Sequence, residues 1–323
     1  MADSISLETP PAGSGQANAK FSDPEVTLDG SRRAKVALRG LETLWVNTGT
    51  LCNIACANCY IESSPTNDRL AYFRRDDLAG YLDEIARDRL PTREIGFTGG
   101  EPFMNPDITA MLEDVLGRGL HALVLTNAMK PMHHKKAALL DLRRRFGDLL
   151  VLRVSLDHYT ARRHEEERGP STWAPTLDGI RWLAENGFDP RVAGRTIWEE
   201  DEATLRAGYG RMFESLGIGI DCDDRDRLVL FPEMTGNPDV PEITEQCWDI
   251  LGVAPEDIMC ATSRMVVRRK DATGPAVLAC TLIPYDRRFE LGATLAAAAG
   301  PVSLNHPHCA KFCVLGGGSC AGG

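Results

Sequence analysis

Strand-like apolar runs alternate with helical patterns six times between residues 41 and 222. The first such run is LETLWVNT (41–48) and the last is IGIDC (218–222), with amphipathic stretches such as DDLAGYLDEIARDR (76–89) between them. Alternation of this kind predicts a parallel sheet with helices outside it. Six units are too few for a full eightfold barrel. We therefore predict an α/β fold, a partial (β/α)6 TIM-like barrel, with its site at the carboxyl ends of the strands.

The segments on either side of this pattern differ from it in composition. Residues 1–36 are polar and lack periodicity, so we predict a disordered N-terminal tail. We assign residues 37–230 to the barrel and residues 231–323, where cysteines return, to a small cysteine-rich C-terminal domain. The tail lacks the features of a secretory signal, and no apolar run approaches the roughly 18–20 residues that span a bilayer. The expected location is therefore cytoplasmic, without a membrane partner.

The charge balance disfavours one class of partner. Lys and Arg total 36 and Asp and Glu total 46, so the net charge is −10. Such a field repels polyanions and makes a nucleic acid an unfavourable partner. One basic run, HHKKAALLDLRRRF (133–146), stands out against this background. Its spacing indicates an amphipathic helix, and we interpret the charges as a solvated face.

Three of the ten cysteines form the pattern C-x3-C-x2-C directly after the first predicted strand. They are Cys52, Cys56 and Cys59, in TLCNIACANCY (50–60). Thiolates favour soft metals and iron–sulfur clusters. Three close cysteines can hold three corners of a [4Fe–4S] cluster and leave the fourth iron open to a small molecule. A structural zinc site needs four ligands, and the nearest histidine is His121.

The position of this motif resembles that of the radical S-adenosylmethionine (SAM) superfamily, over about residues 40–230. The resemblance implies that the open iron chelates the amino and carboxylate groups of SAM. It also implies that the reduced cluster splits SAM to a 5′-deoxyadenosyl radical, which abstracts hydrogen from the substrate. An electron donor of the flavodoxin or ferredoxin type is the implied protein partner. Asn58 occupies a position that is often aromatic in the family.

The segment FTGGEPFMNP (97–106) follows the second predicted strand. Its two glycines allow the backbone to approach a ligand closely. In the resembled family the corresponding segment holds the SAM ammonium group. That role carries over to Thr98, Gly99, Gly100 and Glu101.

Polar residues at later strand ends are further candidates for SAM contacts: Asn127, Ser155, Asp157 and Arg195. All should face the mouth of the barrel. The alternative for the first three is ordinary loop capping. For Arg195, which suits a SAM carboxylate or an acidic substrate, the alternative is a structural ion pair.

Cys222 ends the last predicted strand. We consider it a candidate catalytic thiol that faces the mouth and donates hydrogen to a substrate radical. The alternative is a buried filler.

The C-terminal region carries a second group of cysteines. MVVRRKDATGPAVLAC (265–280) predicts a hairpin that brings Cys260 and Cys280 to one end. This layout resembles the SPASM and twitch extensions of radical SAM enzymes. With five cysteines, where a full SPASM domain has seven, the resemblance implies one auxiliary [4Fe–4S] cluster. Its ligands would be Cys260, Cys280 and two of the remaining three, Cys309, Cys313 and Cys320. His306 and His308 keep a structural zinc site open as the alternative.

Together these features predict a radical SAM enzyme that performs oxidoreductase-type radical chemistry. One auxiliary cluster would assist it. The unfolded tail leaves no room for a leader-peptide-binding domain, which favours a small molecule such as a sugar or natural-product intermediate. One alternative is a maturase that modifies a peptide or protein. An alternative of another class is a non-catalytic iron–sulfur or zinc protein that transfers electrons or binds a partner.

Overall fold

The central strands are short apolar runs that are buried on both faces. In the computed structural model, which describes residues 19–232 and 239–317, residues Thr43–Asn47 are buried at every position. Residues Glu94–Thr98 are buried at all but the first position. Strands that lie between an outer layer of helices and a filled barrel interior have this composition.

The strands, in chain order, are β1 (Lys35–Val36), β2 (Thr43–Asn47), β3 (Glu94–Thr98), β4 (His121–Thr126), β5 (Leu150–Ser155), β6 (Arg191–Arg195), β7 (Leu228–Phe231), β8 (Ser263–Val267), β9 (Ala276–Leu278), β10 (Glu290–Gly292) and β11 (Val302–Ser303). The helices are α1 (Arg75–Asp88), α2 (Ile108–Gly117), α3 (Lys130–His133), α4 (Lys136–Phe146), α5 (Ala161–Arg168), α6 (Trp173–Glu185), α7 (Glu202–Ser215) and α8 (Cys247–Leu251). A π-helical turn, Cys309–Val314, follows β11. Among the described residues, no helix is long and apolar enough to cross a membrane.

Nine of these strands form one sheet in the order β10-β9-β8-β2-β3-β4-β5-β6-β7. From β2 to β7 each strand pairs in parallel with the next one along the chain. Helices connect these strands, so the six parallel strands form the predicted partial barrel. The α/β fold class is confirmed.

The prediction of the sixth barrel strand at residues 218–222 is wrong. The sixth strand is β7, Leu228–Phe231, which pairs with β6. Ile218, Ile220 and Cys222 are buried in alternation with exposed residues, as in a strand. They pack against the core without pairing with the sheet. Alternation reports which side chains are buried, whereas strand pairing depends on the neighbouring backbone.

The region after residue 239 extends the barrel sheet at its free edge. Strand β8 pairs in parallel with β2, and β9 and β10 follow as antiparallel neighbours. The predicted hairpin is therefore confirmed as β8 and β9, with Met265 opposite Leu278. Trp45 and Leu123 from the barrel share one apolar core with Met265 and Phe312. C-terminal side chains thus complete a core to which the barrel strands contribute.

The prediction of a disordered tail is wrong for residues 19–36, which pack against the C-terminal region; residues 1–18 lie outside the described residues. Phe21 and Arg33 are buried. Glu242 accepts hydrogen bonds from the Phe21 backbone N–H and from Arg33 Nη2, both at 2.6 Å. Strand β1 pairs with β11. The composition misled the prediction because these contacts are with residues more than 200 positions away.

A tight contact between β2 and β3 predicts how the barrel tolerates change. Gly96 lies opposite Trp45, and a Cβ on Gly96 would be 2.4 Å from the Trp45 ring. We expect Gly96→Ala to lower the free energy of unfolding by about 1–3 kcal/mol, because the buried ring cannot move away without overpacking its neighbours. Chemical denaturation measures this.

The matched control is Gly80→Ala in α1, where an added Cβ meets no atom within 4 Å. This substitution should stabilise by about 0.5–1 kcal/mol, the helix-propensity gain of alanine over glycine. A Gly96→Ala protein as stable as the wild type would contradict the packing described for the barrel interior.

Candidate functional site

One pocket lies at the carboxyl ends of the parallel strands, with a cavity of about 150 Å³. Eleven sequence-predicted site residues line it: Cys52, Cys56, Cys59, Thr98, Gly99, Gly100, Glu101, Asn127, Ser155, Asp157 and Arg195. They come from the carboxyl ends of β3, β5 and β6 and from the loops that follow β2, β3, β4 and β5. The parallel sheet brings them together because its strands all end on the same side.

Cys222 does not line this pocket. It precedes β7, whereas the carboxyl end of that strand, Phe231, reaches the pocket. The expectation that Cys222 ends the sixth strand and faces the mouth is therefore wrong. Its thiol is buried in the core and lies 3.6 Å from the Ile220 carbonyl oxygen.

The cysteine loop leaves β2 and is anchored by its own backbone. The Cys52 N–H donates to the Ser64 carbonyl at 3.0 Å, and the Ser63 N–H donates to Cys59 Sγ at 3.3 Å. Burial raises the pKa of Cys52 to about 12 and also raises that of Cys56. These thiols therefore need a nearby positive charge or a metal to become thiolates.

The two glycines after β3 pack closely against the backbone that follows β2. A Cβ on Gly100 would lie 2.1 Å from the Leu51 carbonyl oxygen, and one on Gly99 would lie 2.5 Å from the Gly49 oxygen. The Gly100 N–H donates to the Gly49 carbonyl at 2.7 Å. The close approach is thus to the backbone that leads into the cysteine loop, and it holds the two segments together.

Glu101 is buried and accepts three hydrogen bonds from the protein. Its Oε1 accepts from Thr126 Oγ1 at 2.8 Å and from the Phe103 N–H at 3.2 Å, and its Oε2 accepts from the Asn127 N–H at 2.9 Å. Burial nevertheless raises the pKa of Glu101 to about 7. A cation placed beside this carboxyl group would favour its ionised form.

Asn127 joins this network to the cysteine loop. Its Nδ2 donates to Asn53 Oδ1 at 2.9 Å and lies 4.0 Å from Cys52 Sγ. Its Oδ1 accepts from the Met129 N–H at 3.0 Å. The structure therefore engages the Asn127 side chain in positioning the loop beside the first cysteine.

Arg168 is a site residue that sequence reasoning missed. At the end of α5, its Nε and Nη2 donate to the two Asp157 carboxylate oxygens at 2.6 and 3.1 Å. Burial opposes its charge, but Asp157 and the Cys56 and Cys52 thiolates favour it, so the pKa of Arg168 is raised. Asp157 thus holds a permanent positive charge near two of the cysteines. The only signal for Arg168 was its position in the last turn of a helix, where a positive charge is favoured.

Two hydrogen-bond donor atoms of the Arg195 guanidinium have no acceptor among the described residues. They are the buried Nε and Nη2, while Nη1 lies 3.4 Å from Glu167 Oε1. Unpaired donors of this kind are costly unless a ligand satisfies them. Glu167, also missed from sequence, accepts from Asn58 Nδ2 at 2.8 Å and so ties the cysteine loop to α5.

Four C-terminal cysteines line a second, smaller pocket: Cys260, Cys280, Cys309 and Cys313. Cys320 lies outside the described residues. Burial raises the pKa of Cys260 to about 11 and that of Cys309 to about 12. Leu282 lines both this pocket and the first one. The two cysteine-lined pockets are therefore neighbours with one apolar residue in common.

The zinc alternative rests on two histidines near this second pocket. His308 lines it, and burial lowers the pKa values of His306 and His308, that of His306 to about 4, so both are neutral. Within residues 19–232 and 239–317, no three His, Cys, Asp or Glu side chains are close enough to hold a single metal ion. Each ligand of a cubane binds a different iron atom, so such ligands surround a pocket and do not meet at one point.

The residues of the first pocket fit a [4Fe–4S] cluster and SAM. Three cysteines provide thiolates, Arg168 offers a compensating positive charge, and the spare donors of Arg195 suit a carboxylate. Glu101 places a carboxyl group in the same pocket, and this group suits the positively charged amino group of SAM.

Comparisons with curated proteins agree with this chemistry. The subtilosin biosynthesis protein AlbA of Bacillus subtilis (strain 168) is 30% identical over 153 residues, which are 46% of this chain and 32% of AlbA. GTP 3′,8-cyclase of Rhodococcus opacus (strain B4) is 30% identical over 156 residues, 46% of this chain and 41% of the cyclase. The chain thus matches less than half the length of these relatives.

The fold is also similar to a solved structure. Streptococcus suis SuiB bound to its precursor peptide SuiA superposes with a TM-score of 0.57 and 14% sequence identity, covering 80% of this chain and 63% of SuiB. A family model described as the radical SAM superfamily matches residues 46–203. That match includes the cysteine loop, the glycine turn and the strand ends that form the first pocket. Residues 46–203 therefore form a radical SAM superfamily domain, with SAM and a [4Fe–4S] cluster as its cofactors.

Proposed function

We propose that this protein reductively cleaves SAM and abstracts hydrogen from a small-molecule substrate, such as a sugar or natural-product intermediate, with one auxiliary cluster assisting. The observation that carries the proposal is the first pocket. It combines three cysteines with a buried carboxyl group, Glu101, and a buried arginine, Arg195, that has two unpaired donors. A simple electron carrier has no use for the last two features.

Each side chain has a defined task in this proposal. Cys52, Cys56 and Cys59 hold the cluster, Arg195 binds the SAM carboxylate and Glu101 lies beside the SAM amino group. When bound and reduced, the cluster supplies the electron that converts SAM to methionine and a 5′-deoxyadenosyl radical.

The chain contributes orientation and the exclusion of water. Ala193, Phe231, Leu282 and Phe312 form an apolar wall of the pocket. A wall of this kind keeps water from a reactive species and favours a neutral or apolar part of the substrate.

The second pocket supports the auxiliary cluster. Its four cysteines come from the segments before β8, after β9 and in the π-helical turn, which pack around one apolar core. Leu282 lines both pockets, and the turn residue Phe312 lines the first one. A cluster there would be close enough to the substrate to accept its electron or to shape its pocket.

A peptide substrate is the second candidate. It is favoured by the likeness to SuiB, solved with a precursor peptide, and to AlbA, a bacteriocin biosynthesis protein. Transfer of deuterium into 5′-deoxyadenosine from labelled small molecules or labelled peptides distinguishes the two. A non-catalytic iron–sulfur or zinc protein, the remaining alternative, would produce no 5′-deoxyadenosine with either.

Cys56→Ala tests the proposal directly. We expect the anaerobically reconstituted variant, supplied with SAM and dithionite, to produce no detectable 5′-deoxyadenosine by mass spectrometry, because two thiolates cannot hold the cluster. Cys247→Ala is the matched control: Cys247 lines neither pocket and should be dispensable. Full turnover by Cys56→Ala would refute the assignment.

Arg195→Gln tests the SAM carboxylate site. Loss of a charge-assisted hydrogen bond worth roughly 1.5–3 kcal/mol should raise the dissociation constant for SAM about 10- to 100-fold. Calorimetry with the reconstituted protein measures this. Arg191→Gln, at the other end of β6, should leave the SAM affinity unchanged. Equal affinities in the two variants would remove Arg195 from the site.

Cys280→Ala tests the auxiliary cluster. We expect the iron content to fall from about eight to about four atoms per chain, the difference between two cubanes and one. Slow SAM cleavage should persist, because Cys280 does not line the first pocket. An unchanged iron content would show that Cys280 is not a ligand.

A further inference from the structure

The basic run singled out in the sequence divides into two parts with different surroundings. At its carboxyl end, each arginine of α4 has an acidic partner: Arg143 with Asp148, Arg144 with Asp141, and Arg145 with Asp141 and Glu113. At its amino end lie Lys130, His134, Lys135 and Lys136, which we call the basic surface. Within the part of the chain that the structure describes, none of these four forms an ion pair.

The basic surface is open to solvent. Lys130 and His134 are exposed, and Lys135 and Lys136 are partly exposed. Lys136 Nζ lies 4.8 Å from the centre of the Trp182 ring, which fixes one edge of the surface. In a protein of net charge −10, the three lysines of this surface, Lys130, Lys135 and Lys136, make the local electrostatic potential more positive than that of the protein as a whole.

The basic surface begins directly after Met129, a residue that contacts the cysteine loop. Met129 directly precedes Lys130, and its Sδ lies 3.9 Å from Asn53 Nδ2. Asn53 in turn directly follows Cys52 in the chain. A route of two side chains therefore joins this surface to the first cysteine of the C-x3-C-x2-C motif.

We propose that the basic surface is the docking site of an acidic one-electron donor protein. This inference rests on the proposed function, since it concerns how the cluster at Cys52, Cys56 and Cys59 becomes reduced. In the docked complex the donor loses one electron from its flavin or iron–sulfur group, and the cluster gains that electron. No atom is transferred and no further reactant is needed.

The charge distribution explains why docking occurs at this place. An acidic partner is repelled by the negative field of the whole chain and attracted only where cations are uncompensated. Such steering raises the association rate and weakens with ionic strength, because the Debye length is about 10 Å at 0.1 M salt. The arginines at the other end of α4 attract an acidic partner less strongly, because their acidic partners within the chain neutralise most of their charge.

The test compares two double variants that each remove two positive charges. Lys130→Gln/Lys135→Gln changes the basic surface, and Arg144→Gln/Arg145→Gln is the matched control at the opposite end of α4. Each reconstituted protein is assayed for 5′-deoxyadenosine, once with dithionite and once with an acidic flavodoxin kept reduced by NADPH and its reductase. The flavodoxin concentration is varied, at low and at high salt.

We expect kcat/KM for flavodoxin to fall about tenfold in Lys130→Gln/Lys135→Gln at low salt, with a shallower salt dependence than the wild type. The control variant should match the wild type. The dithionite-driven rate should be the same in all three proteins, because neither pair of residues lines the SAM pocket. The thermal midpoints should also be close, because the ion pairs that the control removes are solvent-exposed and such pairs contribute little to stability.

Equal flavodoxin kinetics in the wild type and Lys130→Gln/Lys135→Gln would overturn the docking site while leaving the proposed function intact. Absence of 5′-deoxyadenosine from the wild type with dithionite would instead refute the proposed function. If Lys130→Gln/Lys135→Gln weakens binding of an RNA oligonucleotide and leaves the flavodoxin kinetics unchanged, the surface binds a nucleic acid and the proposal is wrong.

Discussion

The close backbone contact between the turn after β3 and the segment that follows β2 holds the site together. Gly100 lies so near the Leu51 carbonyl oxygen that a Cβ would be 2.1 Å from it. Through this contact the Gly100 and Glu101 N–H groups donate to the Gly49 and Leu51 carbonyl oxygens at 2.7 and 3.1 Å. Any side chain at Gly100 would separate the cysteine loop from the neighbouring strand end.

From that contact a hydrogen-bonded network extends across the strand ends. Glu101 accepts from the Asn127 N–H, and the Asn127 side chain reaches Asn53, next to the first cysteine. Buried polar networks of this kind are stable only when their members are satisfied. Arg195 departs from this rule, with two buried donors unpaired among the described residues. Its location in the wall of the pocket makes a ligand the natural partner for those donors.

Much of this could be predicted from residue spacing. The C-x3-C-x2-C motif, the T-G-G-E turn and the polar strand ends indicated which residues converge, because parallel strands end on one side of the sheet. Arg168 and Glu167 were missed because their roles depend on partners distant in sequence, Asp157 and Asn58. The close approach of the Gly99 and Gly100 backbone to the segment after β2 also depends on the fold and could not be predicted from the glycines alone. Cys222 was misplaced because buried alternation continues beyond the paired strands.

The sequence by itself determined the chemistry that this chain can perform and the class of fold that presents it. Ligand type and spacing are local properties, and so is the periodicity that separates strands from helices. The tertiary structure decided which charges are compensated. It paired the arginines of α4 with acidic residues, whereas Lys130, Lys135 and Lys136 form no ion pair with any described residue. It also packed residues 19–36 against the C-terminal region. Those outcomes depend on distances between residues far apart in the chain, which no local pattern records.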